Sequence, residues 1–164
     1  MDLYPWIVVA HVFFVIVAFG AHGTSAFAMF QARREPDRAR LAAVLDLSGA
    51  SLGVAGVALI AAVLLGIVAA IMGGHFGRLW PWVSIGVVIA VLAVMTPVGA
   101  NPMSDLRKSL GLPGRGDKPG QPPRAPGSTA DVEAAQARLR PDLLSVIGVG
   151  AIAVLVWLME AKPF

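Results

Sequence analysis

Three imidazoles, His11, His22 and His75, are the side chains of this chain best suited to chemistry. His11 and His22 lie within one long apolar run, where an ionisable group is a functional hypothesis by default. On a helix turning about 100° per residue, His11, Ala18, His22, Ser25 and Met29 fall in one narrow stripe, with Ala21 and Ala26 beside it. Small neighbours imply that this stripe faces another helix rather than lipid. At 1.5 Å of rise per residue the two histidines stand about 16 Å apart along the axis, so one ion cannot touch both.

Two ligand sets follow. Near His11, the ends of other apolar runs bring Met72, His75 and Met159. Imidazole and thioether ligands suit Cu(I) or a haem iron. His11, His75, Met72 and Met159 are therefore a candidate metal set, and His11, His75 and His22 are candidate cofactor ligands. Near His22 the residue at matching depth is Met95, with Thr96 beside it, which gives a His–Met haem pair. The plainer alternative is a neutral histidine hydrogen-bonded to a Ser, Thr or carbonyl, with His75 in GGHFG an exposed loop residue. Two haems with bis-His ligation would need a fourth histidine, and the chain has three. The absence of Cys excludes disulfides, thiolate metal sites and Cys nucleophiles. No acid lies inside an apolar run, which argues against a carboxylate-driven antiporter. No P-loop, Gly-rich nucleotide fingerprint or Ser-His-Asp pattern is present, so no enzyme is expected.

The elements that must position these groups are set by hydropathy. Of 164 residues, 57% are hydrophobic and 14% charged, against roughly 25% charged in a soluble domain. Four runs approach the roughly 20 apolar residues that a helix needs to cross a bilayer. They cover about residues 6–30, 47–72, 80–100 and 143–159. Pro81 fits the first turn of the third helix, and Pro97 and Pro102 should end or kink it. Residues 111–127, rich in Gly and Pro, read as a flexible cytoplasmic linker. Ser128 should then cap a short cytoplasmic helix over residues 128–140, with Asp131 in its first turn.

Basic residues orient the bundle. Eleven of the thirteen lie in the first and third loops, and only Arg78 and Lys162 lie on the other side. Both arginine-rich loops are therefore expected in the cytoplasm, with the N-terminus and C-terminus outside. Trp6, Trp80, Trp82 and Trp157 would all ring the outer interface, as tryptophan prefers. The start, MDLYPW, lacks a basic n-region, so an uncleaved span is expected rather than a signal peptide. Small residues mark helix contacts in lipid. Gly49, Gly53 and Gly56 on the second helix, with Ser145, Gly148 and Gly150 on the fourth, are expected in the bundle interior, and homodimerisation is the alternative use of the glycine ridge. The halves share no motif, which counts against an inverted-repeat transporter.

The two ends, WIVVAHVFFVIVAFGAHG and VWLMEAKPF, resemble an uncharacterised family of small bacterial predicted integral membrane proteins, a domain of unknown function. They are loosely similar to the membrane domain of copper-resistance proteins of the D type. The resemblance spans the hydropathy layout and singles out His11, Met159, Lys162 and Pro163. It implies a fold and no reaction.

The sequence thus predicts an all-α membrane protein, a four-transmembrane-helix bundle of the bacterial inner membrane. Its expected role is that of a structural or accessory component of a membrane complex. The alternatives are a haem- or copper-binding protein and a small oligomeric transporter. Its expected partners are the lipid bilayer and other membrane subunits or a second copy. Nucleic acid is not among them, since basic loops flanking a membrane account for the net charge of +3.

Overall fold

The computed structural model describes residues 2–118, 120, 122 and 124–164, and among these it is helical with no strand. Four stretches are long and apolar enough to cross a membrane: Tyr4–Ala32, Arg38–Met72, Trp80–Ser109 and Thr129–Ala161. The end of the bundle that carries both chain termini is the terminal end, and the opposite one is the arginine end.

Helix α1 (Tyr4–Ala32) and helix α2 (Arg38–Met72) form a tight antiparallel pair. The α2 helix begins well before its apolar run because the Asp37 carboxylate accepts the Arg40 N–H at 2.8 Å and caps it. Along α1 the facing residues recur every seventh position, through Tyr4, His11, Ala18, Ser25 and Ala32. Along α2 the same spacing gives Leu41, Ser48, Ala55 and Ala62. A seven-residue repeat keeps one seam in contact over many turns, and small residues on it let the backbones approach. Ala18, Ser25 and Ala32 are buried on one side, and all four α2 residues on the other. The hydroxyls of Ser25 and Ser48 meet at 2.7 Å and fix the register.

Helix α3 (Trp80–Met95) does not end at its prolines. It passes through a turn in π register over Thr96–Ala100 into α4 (Asn101–Ser109). Pro97 has no N–H to give to the carbonyl four residues back. The wider register absorbs this, with the Asn101 N–H bonding to the Thr96 carbonyl. At the end of α4 the Leu112 N–H reaches the Arg107 carbonyl and the Gly111 N–H the Lys108 carbonyl, a Schellman closure. Gly111 adopts φ +78° there, and a Cβ would stand 2.7 Å from the Arg124 carbonyl oxygen.

Ser128 caps α5 (Thr129–Ala137) through reciprocal bonds with Asp131, and α6 (Pro141–Ala161) follows. The described residues between α4 and α5 form no helix and fold back on α4. The Arg115 N–H donates to Ser104 Oγ at 2.7 Å, and Arg107 Nε to the Pro113 carbonyl at 2.8 Å. Pro119, Gln121 and Pro123 of the expected linker lie outside the described residues.

The hydrophobic core sits at the arginine end, where Met29, Leu41, Leu45, Leu106, Val132, Leu139 and Leu144 bring five helices together. Polar contacts close it. Gln136 Nε2 donates to the carbonyl of Ala32, the last residue of α1, at 2.7 Å and to that of Glu35, in the loop beyond it, at 2.8 Å. Arg38 reaches the Gly127 carbonyl, and Arg107 pairs with Asp46 at 2.8 Å.

The expectation that Gly49, Gly53 and Gly56 lie in the bundle interior is overturned. All three are exposed, and nothing stands within 4 Å of where their Cβ atoms would be. The seam of α2 runs through Ser48 and Ala55, which places the glycines a quarter-turn or more round the helix. Gly150 is equally open, Ser145 is half-buried, and Gly148 is buried.

Candidate functional site

His11 lies between α1 and α2. Its Nδ1 is 2.7 Å from the Ala62 carbonyl oxygen, so the Nδ1–H donates. That carbonyl is reachable because Gly66, one turn further along α2, has no side chain. A Cβ on Gly66 would stand 2.9 Å from His11 Cε1 and 3.0 Å from Nδ1. The carbonyl has a second lone pair for its own helix, so both backbone and imidazole are satisfied. Such bonds between helices in lipid average roughly 0.6 kcal/mol.

His75 occupies a separate place. It opens the 3-10 turn His75–Gly77 after Gly74, which holds φ +64°. Its Nε2 is 3.4 Å from the Tyr4 hydroxyl, and its ring is 5.4 Å from the Trp80 indole. The same Nε2 would stand 2.6 Å from a Cβ on Gly73. His11 therefore rests on Gly66 and His75 on Gly73, seven residues and roughly 10 Å apart along α2. Metal–nitrogen bonds are near 2 Å, and the two rings rest against different glycines rather than facing a common point. Met72 is exposed at the end of α2 and Met159 half-buried near the end of α6. Among the described residues no group of three His, Cys, Asp or Glu gathers as a ligand set.

His22 is brought together with Met95. A Cβ on Gly148 would lie 3.7 Å from His22 Nε2 and 3.5 Å from the Met95 methyl, so α1, α3 and α6 meet at that glycine. Met95 is the last residue before the π turn, a feature frequent at functional sites. Thr96 turns away, its hydroxyl donating to the Leu92 carbonyl at 3.0 Å. Among the described residues His22 itself has no hydrogen-bond partner.

Sequence reasoning missed Gly66, Ala62 and Tyr4, and read Trp80 only as an interfacial residue rather than as a neighbour of His75. The signal for the first was available, since Gly66 and Gly73 repeat the seven-residue spacing of α1. A backbone carbonyl such as that of Ala62 leaves no mark in a sequence. Trp80 is buried, and its indole N–H has no partner among the described residues.

Comparison with family models, with curated proteins and with solved structures finds no match for this chain.

Proposed function

We propose that this chain is a non-enzymatic, multi-pass component of a bacterial cytoplasmic membrane, a structural or accessory subunit of a larger assembly. The observation that supports this most is the engagement of His11. The histidine nearest the terminal end of α1 is used as a bond between two helices, in a niche that Gly66 makes for it. It serves packing. The arginine end faces the cytoplasm in this reading, supported by the eleven basic residues of its two loops. Both termini then lie outside. Other membrane helices, those of a second copy included, would pack along Gly53 and Gly56, the exposed inner members of the ridge that begins at Gly49. Purification of the full chain from its own membrane tests the reading. Stable co-purifying helical partners or a crosslinked dimer are expected, and a solitary monomer would overturn it.

A second reading is favoured by Gly148. A haem iron or Cu(I) would take His22 Nε2 and the Met95 thioether, the two groups that face that glycine. The same preparation decides, by its absorption spectrum and metal content. A Soret band or stoichiometric copper, lost in His22→Ala and retained in His11→Ala, supports this reading, and their absence removes it.

A further inference from the structure

We propose that the groove between α2 and α4 at the arginine end holds one anionic phospholipid, with its phosphate at Arg115 and Arg107. The groove encloses about 220 Å³. Its floor is apolar, made by Leu45, Leu52, Ala100 and Met103, and Gly49 leaves it open. It lies where α2 enters its apolar run near Leu47, the depth at which lipid headgroups give way to acyl chains. The inference therefore rests on these helices spanning a bilayer, and does not depend on any protein partner.

The rim supplies the charge. Arg107 and Arg115 line the groove, and no carboxylate does. Asp46 and the Pro113 carbonyl hold Arg107 in place through Nη1 and Nε, which leaves Nη2 free of both. Arg115 is anchored by its backbone on Ser104, while its exposed guanidinium has no acidic partner among the described residues. With Asp46 balancing Arg107, the charge of Arg115 is uncompensated and complements a phosphodiester. An acyl segment along Gly49 and Leu52 would complete the apolar half.

Native mass spectrometry of the full chain in detergent tests this, with phosphatidylglycerol and phosphatidylcholine of the same acyl chains as probes. Wild type should retain phosphatidylglycerol about fivefold better, the effect of one arginine at an anionic surface. Arg115→Gln should lower retention to the phosphatidylcholine level, and Gly49→Leu should displace both lipids by filling the groove. Both positions are exposed, so these variants keep the fold. Arg78→Gln, at the terminal end, should leave retention unchanged. Equal retention of the two lipids, or either groove variant binding as wild type, would overturn the proposal. Displacement of the lipid by glycerol phosphate alone would also overturn it, because the site would then read only the anion.

Discussion

The His11 imidazole reaches the Ala62 carbonyl only because position 66 carries no side chain, so the two positions should be energetically coupled. Alanine at position 66 gains up to about 1 kcal/mol of helix propensity over glycine. It also pushes the imidazole off its acceptor. Gly66→Ala should therefore be less favourable, by at least ~0.6 kcal/mol, when His11 is present than in a His11→Ala background. A double-mutant cycle on unfolding in SDS measures the difference, and additivity would count against the bond. In the loop after α4, the Gly114 N–H bonds to the Asp117 carboxylate and holds its pKa below the usual carboxylate range. Burial opposes this, and Arg124 and Lys108 add to it. A depressed folded pKa means that the loop's stabilisation is present above about pH 4, the ordinary carboxylate value, and is lost as pH falls through the folded value. The protection factor of the Gly114 amide, its exchange rate relative to the intrinsic rate at each pH, should fall in acid in wild type and be already low, and unchanged by acid, in Asp117→Asn. At this scale the stripe of His11, Ala18, His22, Ser25 and Met29 was legible, because helix geometry alone aligns those side chains, but not that His22 would face Gly148 of α6 while His11 and Ser25 meet α2. The acceptor was not, since every residue offers a carbonyl.

Element ends divide by whether their partners are close in sequence. The capping box of Ser128 and Asp131 is local and could be read from the spacing. Ser128→Ala should cost about 1 kcal/mol, seen as faster amide exchange in the first turn of α5. The clamp of Gln136 on the carbonyls of Ala32 and Glu35, at the end of α1 and just beyond it, joins residues more than a hundred positions apart, and no local pattern announces it. Gln136→Ala removes two hydrogen bonds worth about 1 kcal/mol each. It should raise exchange in the last turn of α1 and the susceptibility of the 111–127 segment to protease, with α3 unchanged. Protection in α1 equal to wild type would mean that the Ala32 and Glu35 carbonyls find water at no cost. The prolines of the third span mark a boundary case. Their disruption of the ladder was legible, but its resolution as a π turn over Thr96–Ala100 was not, because it depends on α4 continuing into the core.

For the whole molecule, the bilayer's thickness made four spans legible from hydropathy alone. The way they pack was less so. Glycine spacing signals close approach without saying to which neighbour, and on α2 the seam belongs to Ser48, Ala55 and Ala62, with Gly49, Gly53 and Gly56 left facing outward. The proposed topology predicts that reporters active only outside the cytoplasm work when fused at either terminus and fail when inserted after Gly116. The opposite pattern would invert the orientation. The placement of the clamp has a further consequence, for how the chain is made. The α1–α2 pair is complete once residue 72 has left the ribosome, and its serine and histidine contacts need nothing later. The last turn of α1 must wait for Gln136, and the buried cluster for Leu139 and Leu144. Synthesis runs at roughly 5–20 residues per second, so for several seconds a finished hairpin stands in the membrane with its arginine end unsealed. That interval is when chaperones and proteases find the nascent protein most open, and its close is timed by the arrival of α5.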